Sequence, residues 1–224
     1  MKCLVFDTET TGLPKCKFVK KNNIHLWPHI VQLSYIVYDT EKNKILVEQD
    51  EIVKVNDDIE IPEESTKIHG ITNEASKLCG QNISVLLEHF VVCFNRVDCI
   101  VGHNVEFDIK MLLVECYRNN YKDNLFIEML KNAKRISSPK LYCTMNVGKE
   151  LCNIVIQNKY TGEKFLKSPK LIELHEKIFS QTPKHLHNSF NDIIITLRCF
   201  YFLEFGEDLC SKDRKFNTMI NKLL

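Results

Sequence analysis

Apolar residues that favour β-structure come in five separate runs along the chain. The run over 2–7 shows no alternation, which predicts a strand buried on both faces. Residues 30–39 and 44–55 alternate and are joined by a polar turn, which predicts an antiparallel hairpin. Short apolar runs at 98–102 and 140–142 predict two more buried strands. The pattern therefore predicts five strands.

Helical periodicity fills the segments between these runs, so the chain belongs to the α/β class. Apolar residues recur at helical spacing over 83–96, and a long apolar helix is expected from the region of His187 to about Phe205. Residues 207–224 read as one final helix with a basic outer face. A small hairpin is expected over 154–166, turning at Thr161–Gly162, and a polar insert near 119–139.

Composition is that of a globular protein, with 44% hydrophobic and 26% charged residues. The net charge of +1 excludes a global basic field, although the loop 15–29 holds four lysines that could meet phosphates or simply face water. Ten cysteines without a Cys-x-x-Cys pair indicate reduced thiols, hence an intracellular compartment such as cytoplasm or nucleus. No stretch is long enough to span a membrane, so no membrane association is expected.

Acidic residues stand where strands end and helices begin. Asp7 and Glu9 are two apart on a strand, which puts both carboxylates on one face. Such a buried pair repels and loses hydration, and a hard divalent cation between the two would relieve both costs. Asp108 and Asp192 each fall in the first turn of a predicted helix, the first of which Asn104 could cap. Alone, each acid has a plainer explanation, a solvated strand end or a favourable helix dipole.

Three segments together resemble the motifs of the DEDDh, or DnaQ-like, 3′–5′ exonuclease family. Residues 6–13 (Phe-Asp-Thr-Glu-Thr-Thr-Gly-Leu) resemble the first motif, and residues 102–108 (Gly-His-Asn-Val-Glu-Phe-Asp) resemble the second. His187, five residues before Asp192, matches the third, and the segment 68–72 (Ile-His-Gly-Ile-Thr) resembles a further family stretch. The resemblance implies a ribonuclease H-like fold with a five-stranded mixed sheet flanked by helices, as a single domain over 1–224.

The resemblance also implies a site. Two Mg²⁺ or Mn²⁺ ions would be held by Asp7, Glu9, Asp108 and Asp192, and His187 would act as general base, with His185 as a rival that lacks the family spacing. One departure is Ile193, which is bulkier than the usual alanine after the last acid. The implied contacts to the terminal nucleotide are Thr10, Gly12, Ile68, His69, Asn104 and Phe107.

The function implied is removal of nucleoside monophosphates from single-stranded or frayed 3′ ends of DNA, in proofreading or repair, with a DNA polymerase as a possible partner in trans. The alternatives are a 3′–5′ exoribonuclease on RNA and a catalytically silent nucleic-acid-binding module. The intact set of four acids and a histidine speaks against the silent module. A structural zinc protein is disfavoured because the Cys and His residues lack ligand spacing.

Overall fold

The computed structural model describes residues 1–135 and 139–224. A mixed five-stranded sheet forms its centre, in the spatial order β3–β2–β1–β4–β5, with β1 antiparallel to β2 and parallel to β4. This confirms the five strands and the mixed sheet. The strands are β1 (Lys2–Thr10), β2 (Ile30–Asp39), β3 (Lys44–Ile52), β4 (Cys99–Gly102) and β5 (Lys140–Cys143).

Nine α-helices lie in the described part of the chain, together with the short hairpin expected over 154–166. The hairpin strands are β6 (Val155–Gln157) and β7 (Lys164–Leu166). The helices are α1 (Glu63–His69), α2 (Asn73–Cys79), α3 (Ile83–Phe94), α4 (Val105–Arg118), α5 (Asn124–Lys131), α6 (Thr144–Cys152), α7 (Leu171–Phe179), α8 (Ser189–Phe205) and α9 (Arg214–Ile220). Of the predicted polar insert, residues 136–138 lie outside the described part.

Helices cover both faces of the sheet, and β1 contributes to both cores. Leu4 and Phe6 pack in the core that α3, α4 and α5 close, whereas Cys3 and Val5 pack in the core under α8. The unalternating first run is therefore a strand buried on both faces, as predicted. The strand β2 also lies buried along its whole length, so its alternate residues feed the two cores in turn.

One predicted strand ends earlier than the pattern indicated, and one predicted helix is divided into two segments. The strand over 44–55 stops at Ile52, because Val53 leaves the ladder and pairs with Gln81 instead. The single helix predicted over 207–224 is wrong: a 3₁₀ turn (Leu209–Ser211) precedes α9. Asp208 and Asp213 accept hydrogen bonds from the backbone amides two and three residues on, and such caps start new helical segments.

None of the helices within residues 1–135 and 139–224 combines the length and apolarity that crossing a membrane requires.

Candidate active site

The last residues of β1 carry two of the predicted acids, and α8 brings a third to them. Asp7 and Glu9 share one face of the strand, and Asp192 lies in the first turn of α8, which packs across β1 and β2. One carboxylate oxygen from each of these residues lies within 4.8 Å of the others. The structure thus brings together three of the four carboxylates that the sequence predicted.

Polar contacts to β2 fix the start of α8. The Asn188 side chain accepts a hydrogen bond from the Asn191 amide at 3.2 Å and caps the helix. The Ser189 amide donates to Gln32 Oε1 at 3.2 Å, and the Ser189 and Ser34 hydroxyls are 2.5 Å apart. Gln32 and Ser34 were not among the predicted site residues, although each is a polar residue within an apolar strand run.

Asp108 approaches the site from α4, with only 2% of its surface exposed. Its Oδ1 accepts hydrogen bonds from the Thr8 amide at 3.1 Å and the Thr8 hydroxyl at 2.7 Å. Thr8 stands between Asp7 and Glu9 on the strand, so Asp108 is held against the backbone that carries both acids. The role of Thr8 was also missed, because a contact between residues 100 positions apart leaves no local pattern.

Burial makes all four carboxyls reluctant to ionise, and repulsion by the other acids adds to it for Asp7, Glu9 and Asp108. The pKa of Asp7 is well above its usual range, first because of burial and then because of Asp108, Asp192 and Glu9. Burial, followed by Asp192 and Asp108, raises the pKa of Glu9 to about 8. Burial raises the pKa of Asp108 to about 7 against the opposing Thr8 hydrogen bonds, and that of Asp192 to about 7 against the opposing His187 amide.

Such a cluster fits a hard cation. Carboxylate oxygens are the ligands that Mg²⁺ and Mn²⁺ prefer. A divalent ion among Asp7, Glu9 and Asp192 would replace their repulsion by attraction, which favours the ionised form of each acid.

Two histidines lie in the loop that enters α8, and they differ in their contacts. The His187 amide donates to the two carboxylate oxygens of Asp192 at 3.3 and 3.4 Å, and the residue is exposed with a φ of 68°. The His185 carbonyl accepts from Asn191 Nδ2 at 2.8 Å. His103, in the second motif, is locked by Thr144 Oγ1 and the Pro169 carbonyl, both at 3.0 Å from its ring nitrogens.

The turn after β1 and the end of α1 hold four of the predicted substrate contacts. The Thr10 hydroxyl donates to the Gly12 carbonyl at 2.7 Å, and Gly12 has a φ of 149°, which favours glycine. Ile68 is exposed, whereas His69 is buried, with Nδ1 accepting from the Ile71 amide at 3.1 Å. Burial lowers the pKa of His69, and the nearby Thr10 backbone opposes that shift.

The other two predicted substrate contacts, Asn104 and Phe107, lie at the start of α4. Asn104 is the N-cap residue of α4, as predicted, but it is exposed and its side chain makes no capping hydrogen bond. Its left-handed backbone, with a φ of 67°, starts the helix instead, and its carbonyl accepts from the Phe107 amide at 2.9 Å. Phe107 is half-buried against the core.

Comparison with models of protein families identifies the family to which the chain belongs. A model of the RNase T-type exonuclease family matches residues 4–200, which is most of the chain. The chain therefore belongs to this exonuclease family, the DnaQ-like group of the ribonuclease H-like superfamily, as its motifs predicted. The exonuclease domain of this family implies dependence on a divalent metal ion, for which the acidic cluster is present.

Solved structures of exonuclease I share the fold. The Escherichia coli enzyme with a dT13 oligonucleotide is 19% identical, with a TM-score of 0.62 over 90% of this chain and 41% of that chain. Its zinc-bound complex with single-stranded DNA is 17% identical, with a TM-score of 0.64 over 97% and 42%. A product-bound exonuclease I gives 17% identity and a TM-score of 0.62 over 97% and 45%. The chain thus spans about two fifths of that enzyme's length. No curated protein sequence matches the chain.

Proposed function

We propose that this chain is a 3′–5′ exonuclease that removes nucleoside monophosphates from single-stranded or frayed ends of DNA. The observation that carries the proposal is the meeting of Asp7, Glu9 and Asp192 within 4.8 Å at the end of β1. Asp108 stands beside them, and His187 touches Asp192 through its amide. The structures of exonuclease I with bound single-stranded DNA support DNA as the substrate.

The acids of this chain would hold two divalent ions, Mg²⁺ or Mn²⁺. When bound, such a pair supplies charge stabilisation to both the attacking and the leaving oxygen of a phosphodiester. Asp7 lies at the centre of this set, because the charges of the three other acids all act on it, and it would hold metal together with Glu9 and Asp192. The Thr8 hydrogen bonds to Asp108 Oδ1 leave its second oxygen available for a ligand or a bound water.

His187 would take the proton of the attacking water. An imidazole suits this role because its usual pKa lies near neutral pH, and an exposed loop position lets the ring reach a water beside the scissile phosphate. Water adds to phosphorus, the bond to the 3′ oxygen breaks, and that oxygen is protonated to give a shortened strand and a 5′-monophosphate. The turn of Thr10 and Gly12 would contact the terminal nucleotide.

The test is a time course on a 5′-labelled DNA oligonucleotide and an RNA of the same sequence, with Mg²⁺ and with EDTA. We expect a ladder that shortens from the 3′ end, faster on DNA, and absent in EDTA and in Asp192→Asn. Asp57→Asn is the matched control, because Asp57 is exposed and, within residues 1–135 and 139–224, forms a salt bridge with Lys77 alone. Faster trimming of RNA would make the chain an exoribonuclease. If the wild-type protein shortens neither the DNA nor the RNA, the proposal is overturned, and a nucleic-acid-binding module without catalysis is the remaining alternative.

The cellular setting belongs to the same proposal. Work in proofreading or repair, with a DNA polymerase in trans, would be supported by co-purification of a polymerase with the intact protein and by preferential trimming of mispaired 3′ ends. The ten cysteines are all free thiols, and four of them lie buried in the core, which supports a reducing intracellular compartment.

A further inference from the structure

Two polar segments of the sequence, the loop 15–29 and the insert starting at residue 119, meet on the surface. They line a cavity of about 650 Å³ together with the end of α4. Its wall includes Lys21, Ile24, Tyr117, Arg118, Tyr121 and Lys122. None of the acids described as the active site takes part.

The cavity carries positive charge and aromatic surface. No acidic side chain is among the residues that line it. Arg118 is neutralised by Glu115 at 2.6 Å, whereas Lys21 and Lys122 form no salt bridge with any residue of the described ranges. The Lys21 ammonium lies 5.5 Å from the centre of the Tyr117 ring. Two free ammonium groups beside two tyrosines suit a ligand that combines phosphates with flat bases.

One helix connects this cavity to the active site. Asp108 lies in the first turn of α4, and Tyr117 lies nine residues further on. At 1.5 Å per residue the two are separated by roughly 14 Å along the helix axis. A stacked strand advances about 3.4 Å per nucleotide, so a strand that reaches from the site to the cavity needs roughly four nucleotides or more.

We propose that this cavity binds the phosphate backbone of single-stranded DNA, upstream of the 3′ end that the active site holds. The inference rests on the proposed function for its substrate. Lys21 and Lys122 contact phosphates, and Tyr117 and Tyr121 offer hydroxyl groups and ring faces to the adjoining nucleotides. The lysine-rich loop joins the turn after β1 to the cavity: Thr11 and His29 close its base with two hydrogen bonds of 2.9 Å, and Lys21 and Ile24 line the cavity.

The first experiment measures binding alone. Fluorescence anisotropy of labelled oligothymidylate of about 20 nucleotides is followed in EDTA, so that no cleavage is required. The double variant Lys21→Ala/Lys122→Ala should weaken binding by about fivefold to tenfold and lower the salt dependence by about 1.4 in log–log slope, the value for two phosphates of a single strand. The matched control is Lys42→Ala/Lys44→Ala, two exposed lysines at the turn between β2 and β3, at the other end of the sheet.

The proposal is supported if the cavity variant, Lys21→Ala/Lys122→Ala, loses affinity for the strand and the control variant does not. Equal affinity for wild type and both variants, equal losses in the two variants, or no binding by wild type would each overturn it. Free thymidine 5′-monophosphate is added as a competitor at matched phosphate concentration. If it displaces the strand fully, the site holds mononucleotides and the assignment to a strand is wrong.

A second experiment uses cleavage and separates this inference from the proposed function. The cavity variant should raise KM for strands of about 20 nucleotides severalfold and leave kcat unchanged, with no effect on strands of about three nucleotides, which are too short to reach the cavity. An equal effect on both lengths would overturn the inference. Absence of cleavage in wild type on every length defeats the proposed function instead, and the binding measurement then stands by itself.

Discussion

Thr8 is the only residue between Asp7 and Glu9, and its side chain faces the other side of β1. Its hydroxyl and amide both donate to Asp108 Oδ1, and these bonds hold the pKa of Asp108 below the value that burial alone would give. Thr8→Val keeps the shape of the side chain and removes the hydroxyl donor. We expect the acidic limb of the pH–activity profile to move to higher pH and kcat/KM at pH 7 to fall about tenfold, since one lost hydrogen bond to a charged group is worth roughly 1.5–3 kcal/mol.

The measurement is a pH–rate profile at several Mg²⁺ concentrations. Thr8→Ser is the control, because it keeps the hydroxyl and should restore most of the activity. The Thr8→Val enzyme should also need more Mg²⁺ for half-maximal rate. An unchanged profile would mean that the Thr8 amide alone suffices to keep Asp108 in place.

His187 and His185 are a natural pair for comparison, since both are exposed and both have a positive φ. We expect His187→Ala to lower kcat by about 10²–10⁴, the usual contribution of a general base. His185→Ala should leave kcat within about threefold, because only the His187 backbone contacts an acid of the site. Steady-state rates at saturating DNA give the answer, and a larger loss in His185→Ala would reverse the assignment.

Among the elements, the loop between β1 and β2 depends on one buried ion pair. Arg118 Nη1 donates to Glu115 and to the Pro28 carbonyl, both at 2.6 Å, and Nη2 donates to the Ile24 carbonyl at 2.9 Å and to the Trp27 carbonyl. The end of α4 therefore holds the loop in place. Removing Arg118 leaves a buried carboxylate without its partner, a change that costs about 3–5 kcal/mol.

We therefore expect Arg118→Ala to lower the free energy of unfolding by about 3–5 kcal/mol, measured by urea denaturation. Trp27 is the one tryptophan of the chain and is buried in this loop, so its fluorescence reports the loop directly. Its emission should shift to longer wavelength in the variant before the main unfolding transition. Lys110→Ala is a control on the same helix, because its partner Glu106 also pairs with Lys134. Equal stability of the two variants would contradict this account of the loop.

Elements with a strong period were predictable, and those that depend on a side-chain cap were not. The apolar runs at 30–39 and 83–96 predicted β2 and α3 to within two residues. The prediction of one helix over 207–224 was wrong, because apolar spacing continues across Asp208 and Asp213. Both side chains accept hydrogen bonds from backbone amides and so interrupt the helix. Competition between a capping side chain and helix continuation is settled by local geometry that periodicity does not contain.

The candidate site was predictable to a similar degree. Spacing put Asp7 and Glu9 on one face, and the family motifs added Asp192 to them. Sequence reasoning could not find the bond from Thr8 to Asp108, since it joins two elements 100 residues apart. The left-handed backbone of Asn104 has no pattern in the sequence either, and it replaced the expected side-chain cap.

At the scale of the whole molecule, the four clustered acids lower the stability of the folded state when they ionise. The net charge is +1, so no surplus of positive charge offsets the cluster. The pKa values of Glu9, Asp108 and Asp192 are raised to about 8, 7 and 7 in the folded chain. In the unfolded chain the same groups ionise near pH 4. The folded state therefore binds more protons between these limits, and stability falls as pH rises through them.

Two half-buried histidines act in the opposite direction at lower pH. Burial lowers the pKa of both His29 and His103 to about 4, whereas an unfolded histidine ionises near 6.5. These groups therefore cost stability as pH falls below about 6.5 and have little effect above it. Between about pH 6.5 and 8 the acidic cluster therefore dominates the trend.

In that window we expect the melting temperature of the metal-free protein to fall as pH rises. Mg²⁺ should reverse the trend, because it binds the ionised acids and pairs with their charge. At about 100 times its dissociation constant, a ligand of the folded state adds about 2.7 kcal/mol, or roughly 5–10 °C for a chain of this size. The gain should be largest near pH 8 and smaller near pH 6.5, where protons compete with the metal. Calorimetry with Mg²⁺ and with EDTA measures it. Asp192→Asn should lose most of the gain and Asp57→Asn none, and a gain equal at both pH values would contradict a site made of these reluctant acids.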